Sequence, residues 1–448
     1  MRQWGSRTGL GGLGEPMGGD GVGGTRRRRN TLGSFAGACE KERSVHPERA
    51  AAYRRRLAVL GDEIVQLWWH RHGPDTEHGG FHGYLDRQWR PGQPTDKSSV
   101  QQARHLWALA TWAERRGRTG LVDSLSRSTY EFIRRALVDR ADGELHYTVT
   151  REGIPVDTTK ILYAQAFGIY GLSTYGRVYG DAEAVDLARG VFRSVDARAH
   201  DTEHGGYRQD ADPHWLSKGA PKETNTHIHL MEGFGALLDA TGDGLVGERV
   251  AELLEVVTTK LLQPEGYVHP SFGRDWTPLG SPVISYGHDI ETAWLIVDAA
   301  RALGRDPQTV SPAALTMGTR AIREGFDAER GGLFDEGIPG ERVTNPIKVW
   351  WAQFEALAGL WWLYRFTGDP AYLDVFDRVL DWIEGPARDP EHGEWYFSIG
   401  LGGNPDERGD HKGEVWKTTY HGLRAVLFID DWIAAAAAEA NGGPERKA

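Results

Sequence analysis

Apolar residues recur at helical spacing along twelve stretches of the chain, at 50–70, 98–113, 122–138, 159–179, 182–195, 225–238, 246–262, 291–303, 313–326, 349–366, 371–383 and 415–438. A period near 3.6 gives each stretch one buried face, so each reads as an amphipathic helix. Glycine and proline fall between the stretches and end them. Strict alternation is confined to short pieces such as Phe81-His82-Gly83-Tyr84-Leu85, which read as small hairpins. The pattern predicts an all-α protein with short β-hairpins in its loops.

One phrase punctuates the helices. It runs Asp75-Thr76-Glu77-His78-Gly79-Gly80-Phe81 and returns at Asp201, Asp327 and Asp389. The first three copies start 126 residues apart and the fourth follows by 62, with weaker copies at 139–147 and 263–269. The matching glycines, at 79, 143, 205, 266, 331 and 393, mark six repeats of two helices each. A helical hairpin that buries one face must stack on its neighbours. Six of them can close into an (α/α)6 barrel, and the absence of a polar capping repeat favours closure over an open solenoid. The expected organisation is one catalytic domain at 47–440, preceded by a disordered Gly/Arg-rich extension at 1–46 and followed by a frayed tail at 441–448. The Asp-x-Glu-His-Gly-Gly phrase recurs too regularly for catalysis and reads as turn chemistry.

Composition narrows the function. The 448 residues include no apolar run approaching the roughly 18–20 needed to cross a membrane. The net charge is −11, and the extension alone carries +4, which argues against a nucleic-acid face. The single cysteine, Cys39, rules out internal disulfides and cysteine-based metal sites. Tryptophan and histidine each number 17, which suits an aromatic-lined pocket for a neutral polar ligand such as a sugar. Arg26 to Arg29 before Asn30-Thr31-Leu32 weakly resemble a twin-arginine signal, and Ala36-Gly37-Ala38-Cys39 a lipoprotein site. Neither has an adequate apolar core, so the expected location is the cytoplasm, and a mis-assigned start codon accounts for the extension better than export does. A monomer or homodimer is expected.

Polar and aromatic residues gather at the start of one helix per repeat. Taking Arg104, Tyr163, His229, His288, Trp351 and His421, the spacing tracks the repeat. In a closed ring such positions converge on one mouth. Each has a plainer reading. A single histidine in a helix is usually packed or solvated. His227 and His229 point roughly 200° apart on a helix, so only one faces a pocket, and the pair is unsuited to metal. His288 and Glu291 share a face at i,i+3, as partners in a site or as a surface ion pair. Of Trp350 and Trp351, one belongs to the core. Asn225, or Thr226 in its place, suits a helix N-cap. Arg104 could be a surface residue. No phosphate loop, dinucleotide fingerprint, nucleophile elbow or zinc helix is present in the sequence.

Ser285-Tyr286-Gly287-His288-Asp289-Ile290-Glu291, Trp416-Lys417-Thr418-Thr419-Tyr420-His421, the Asn225 to His229 segment and the Lys348 to Trp351 segment together resemble the N-acylglucosamine 2-epimerase superfamily. Asp275-Trp276-Thr277-Pro278 fits its cellobiose 2-epimerase branch. The resemblance spans 47–435 and implies an (α/α)6 barrel that opens a reducing-end pyranose and moves the C2 proton through a cis-enediolate. It implies His288 and His421 as the acid/base pair, His229 in ring opening, and Arg104 and Asn225 on oxygens near C1 and C2. Glu291 would support His288 or a hydroxyl, and Trp351 and Trp416 would stack on sugar. No metal or redox cofactor is implied. A C2–H beside an aldehyde is a weak acid, so histidine bases and a cation for the enediolate oxygen make chemical sense.

One departure bears on substrate. The family commonly reads Trp-Lys-Cys-Pro-Tyr-His-Asn, whereas this chain has Thr418, Thr419 and then Gly422. That change is expected to alter the pocket wall and to weaken the disaccharide assignment more than the chemistry. The alternatives are an aldose–ketose isomerase, a monosaccharide 2-epimerase, a glycoside hydrolase drawing on Glu291, Glu232 and Asp289, and a non-catalytic sugar-binding barrel.

Overall fold

The computed structural model describes residues 45–209, 221–405 and 409–440. All of the Gly/Arg-rich extension except its last two residues, and the tail at 441–448, lie outside the described residues.

The twelve expected helices are present: α1 (Pro47–Ile64), α2 (Ser99–Arg116), α3 (Gly120–Phe132), α4 (Leu162–Tyr179), α5 (Ala182–Ala199), α6 (Thr224–Thr241), α7 (Gly244–Val256), α8 (Tyr286–Ala302), α9 (Ser311–Gly325), α10 (Trp350–Thr367), α11 (Ala371–Glu384) and α12 (Tyr420–Ala440). The ends of α1, α3 and α7 loosen into π-helical turns. The two starts that shift most are those of α8 and α12. α8 begins at Tyr286 rather than 291, because the Ser285 hydroxyl accepts the His288 N–H at 3.4 Å and caps it. α12 begins at Tyr420 rather than 415. The Glu414 carboxylate accepts the Trp416 and Lys417 N–H groups at 2.8 and 2.9 Å, which turns the backbone where a helix would otherwise start.

The even-numbered helices pack on one another in order, α2 on α4, α4 on α6, α6 on α8, α8 on α10 and α10 on α12, and α12 returns to α2. Each odd-numbered helix packs outside, α3 on α2, α5 on α4, α7 on α6, α9 on α8, α11 on α10 and α1 on α12. Sequence explains the division. α10 is apolar around most of its circumference and nearly all of it is buried, whereas α11 buries only one stripe, from Leu373 through Ile383.

Short antiparallel strands sew the loops together. β1 (Lys97–Ser98) pairs with β2 (Thr148–Val149), which also pairs with β3 (Pro155–Asp157). β4 (Lys222–Glu223) pairs with β5 (Ser271–Phe272), and β6 (Ile284–Ser285) with β7 (Glu336–Ile338), itself paired with β8 (Arg342–Asn345). β9 (Lys348–Val349) pairs with β10 (Ser398–Ile399). The expected hairpin at 81–85 is reduced to bridges, and one of these, Leu85 to Gly413, ties the first repeat to the last.

The recurrent phrase is turn chemistry. Asp75 Oδ1 accepts the N–H groups of Glu77 and His78 at 3.2 Å, and Gly79 and Gly80 adopt φ of 83° and 66°. A buried lysine entering the next inner helix then grips both the aspartate and the turn. Lys97 lies 2.9 Å from Asp75 and 2.7 Å from the Gly79 carbonyl, and Lys222, Lys348 and Lys412 repeat this on Asp201, Asp327 and Asp389. Trp276 of the Asp-Trp-Thr-Pro phrase belongs to the same scaffold. It has φ of 68° and donates its indole N–H to the His204 carbonyl at 2.7 Å.

Asp327 depends on Lys348 more than the other copies depend on their lysines, because Asp75, Asp201 and Asp389 each also bind an arginine. Lys348→Met leaves a buried carboxylate without its cation and should cost about 3–5 kcal/mol in urea unfolding. Lys222→Met, with Arg274 still on Asp201, should cost less.

Candidate active site

The turns fix the register of the inner helices. The N–H after each glycine turn is held by one side chain per helix: Gln102 on Phe81 at 2.9 Å, Gln165 on Leu145 at 2.8 Å, His227 on Tyr207 at 3.0 Å, Asp289 on Val268 at 3.1 Å and Gln353 on Leu333 at 2.6 Å. In the sixth repeat Lys417 donates instead to the Trp395 carbonyl. His227 is therefore structural, its Nδ1 facing the Glu223 carbonyl at 2.7 Å, and His229 is the histidine that faces the site. This register corrects the alignment read from sequence. Arg104, His229, Glu291 and Glu355 occupy equivalent positions, whereas His288 lies nearly one turn before that level and His421 follows it.

The predicted residues converge. Arg104 on α2 donates to the Tyr163 hydroxyl at 2.7 Å and to the Trp416 carbonyl at 3.0 Å, and it lies over the Phe167 ring. Tyr163 packs edge-on to His229 at 5.1 Å and to Trp416 at 5.8 Å. His229 Nδ1 lies 3.0 Å from Glu232. His421 Nδ1 lies 2.6 Å from Glu355. The Trp351 ring contacts both His288, at 4.8 Å, and His421, at 5.4 Å. Trp350, the core member of its pair, still presents its ring to His421 at 5.5 Å. Trp416 sits in the lead-in to α12, not on a helix. Asn225 is not the N-cap; that position is Glu223. The Asn225 Oδ1 is buried without a protein partner. Asn225 lies one turn before His229 on α6.

Arg424 was missed from the sequence, and it organises the centre. Its guanidinium binds Glu291, Glu232 at 2.5 Å and Glu355 at 2.7 Å, all of them buried. Tyr420 donates to Glu232 at 2.7 Å and Trp294 to Glu355 at 2.9 Å. A signal existed: Arg424 follows His421 by three residues, which places both on one face of α12. Its partners come from three other helices, a convergence that no local pattern states.

Charges follow from this geometry. Burial pushes the Glu232 carboxyl up, but Arg424, His229 and Tyr420 outweigh it and hold the group at about 2. Burial, then the neighbouring Glu355, raise Glu291 to about 7 against the pull of Arg424. Glu355 is likewise raised by burial. Burial lowers His288 to about 3 and His421 well below the ordinary imidazole range, where Arg104, Arg424 and the other histidines add to the effect. In both imidazoles these surroundings favour the neutral form over the cation.

The donor atoms of Glu291, Glu355 and His421 lie within 4.8 Å of one another, the one such cluster among the described residues. The Arg424 guanidinium already supplies the cation to both carboxylates, so this set is poorly suited to a metal ion. Glu232 and Glu291 are bound to Arg424 and Asp289 holds the Val268 turn, which takes up the three carboxylates considered for glycoside hydrolysis. Gly422 is also not where the family comparison put it. A Cβ there would meet Ile64 Cδ1 at 2.7 Å, so this position packs against α1 and does not line the pocket.

Three histidines, a buried cation and half-buried indoles around one cluster suit an isomerase of the carbohydrate 2-epimerase class. Residues 79–425 match the sequence model of the N-acylglucosamine 2-epimerase (GlcNAc 2-epimerase) family, and the chain belongs to that family. A cellobiose 2-epimerase of Ruminococcus albus is 31% identical over 381 residues, covering 83% of this chain and 96% of the relative. The N-acylglucosamine 2-epimerase of Rattus norvegicus is 26% identical, covering 88% and 94%. The structure of the cellobiose 2-epimerase from Spirochaeta thermophila superposes with a TM-score of 0.80 at 30% identity, covering 87% of this chain and 98% of that one. No helix among the described residues is long and apolar enough to cross a membrane.

Proposed function

We propose that this chain is a cofactor-free 2-epimerase acting on the reducing-end glucose of a β-1,4-linked disaccharide of the cellobiose or lactose type. The observation that carries the reading is the contact of two neutral histidines, His288 and His421, with the same ring of Trp351. A sugar stacked there has its C2 within reach of two bases. The cyclic packing of α2, α4, α6, α8, α10 and α12 supports reading the fold as an (α/α)6 barrel over 47–440, with this site at its mouth.

In the proposed reaction His229 assists ring opening, and one of His288 and His421 removes the C2 proton. The enediolate negative charge develops beside Arg104, and the other histidine returns a proton to the opposite face. Glu355 orients His421 and stabilises the imidazolium it forms. Asn225 and Glu291 bind hydroxyls near the reacting carbons, and Trp351 and Trp416 stack on the sugar rings. The disaccharide assignment draws on the names of the relatives that are about 30% identical. A monosaccharide epimerase or aldose–ketose isomerase is the second reading, favoured by the rat relative and by the fact that the same residues can return the proton to C1.

Proton NMR in D2O separates these readings. Incubation with cellobiose or lactose should place deuterium at C2 and generate a manno-configured reducing end. Reaction of glucose, mannose or N-acetylglucosamine alone would move the substrate to a monosaccharide. Ketose signals would make the chain an isomerase. Absence of exchange in every sugar would refute proton transfer.

A further inference from the structure

The centre contains two imidazole–carboxylate pairs, and the reading above gives a support role to only one of the carboxylates. His421 leans on Glu355; His229 leans on Glu232, its i,i+3 neighbour on α6, at 3.0 Å. Both carboxylates are buried and both accept from Arg424. Tyr420 also donates to Glu232, which joins this pair to the start of α12. An ionised carboxylate can only accept hydrogen bonds. Opposite it, His229 Nδ1 must carry the proton.

We infer that Glu232 is a positioning residue that fixes His229 in the Nδ1–H tautomer, leaving its Nε2 lone pair to open the pyranose ring. This rests on the epimerase reading. In the step, Nε2 accepts the O1 proton as C1 gains its carbonyl double bond. The C1–O5 bond breaks with its electrons on O5, and O5 takes the proton back from the imidazolium. No proton or electron is gained or lost overall, and Glu232 stabilises the transient cation. His229 is a base for oxygen-bound protons, while His288 and His421 handle carbon.

Glu232→Gln tests this. Glutamine keeps the size of the side chain and an oxygen for Arg424, but its amide donates towards His229 Nδ1 and moves the imidazole proton to Nε2. With ¹⁵N-labelled histidine, NMR should find Nδ1–H at His229 in the wild type and Nε2–H in the variant. Interconversion of pyranose anomers, followed by NMR, should be accelerated by the wild type and fall about 10²-fold in the variant, with C2 exchange falling alongside. Tyr420→Phe, which removes a different Glu232 contact, should keep the Nδ1–H tautomer. An Nε2–H tautomer in the wild type, or unchanged anomerisation in Glu232→Gln, overturns the proposal. If the wild type neither anomerises nor exchanges any sugar, it is the epimerase reading that fails; the wild-type tautomer then still decides the role of Glu232, and does so even if the variant does not fold.

Discussion

In His421→Asn, C2 deuterium exchange should fall by about 10²–10⁴-fold while the fold is retained. The imidazole is 5% exposed, and its hydrogen-bond partner among the described residues is Glu355, at 2.6 Å. Asparagine keeps an amide to meet that carboxylate, so the buried charge is not abandoned and the melting temperature should change little. What disappears is a group able to take a proton from carbon. The rings of Trp350 and Trp351 should hold the loop geometry in place. The measurement is the exchange rate by NMR on whichever sugar the wild type turns over, beside a thermal melt. Exchange at the wild-type rate would remove His421 from the chemistry and favour a different reaction class on this scaffold.

The helices were legible because burial writes a 3.6-residue period into them, and the repeat because every turn needs a glycine, and five of the six an aspartate, at fixed places. Helix starts were less so. Ser285 and Glu414 decide where α8 and α12 begin, through one side-chain oxygen each, and such contacts leave little trace in periodicity. Most of the predicted site residues proved to share contacts, yet Arg424 and the contact of Glu355 with His421 were missed. Arg424 meets carboxylates that are 69 to 192 residues away in sequence. Nothing along the chain distinguishes Glu355 from any other glutamate in an apolar helix. The resemblance also misled at Gly422, where a difference in residue type looked like a change in the pocket but is a packing change against Ile64.

Arg424→Met should damage stability and activity together. The guanidinium is 1% exposed and is the shared partner of Glu232, Glu291 and Glu355. Methionine fills much of its volume, so the effect is electrostatic: buried carboxylates lose their cation, at a cost of about 3–5 kcal/mol near neutral pH. The pH dependence has a definite sign. Glu291 and Glu355 already have raised folded-state values, so their stabilising share is full below the unfolded carboxyl pKa and is lost as pH rises through the folded value, about 7 for Glu291. Glu232 is the opposite case in the wild type. Held at about 2, it contributes above the unfolded value, and without Arg424 burial pushes it up as well. The difference between variant and wild type should therefore fade only as pH falls towards 2, where wild-type Glu232 is also protonated, should already include the Glu232 share at pH 4, and should be largest above pH 7. Urea unfolding at pH 4, 6 and 8 measures it. A deficit independent of pH would mean that Arg424 acts through packing and leaves the ionisation of the three glutamates to other groups.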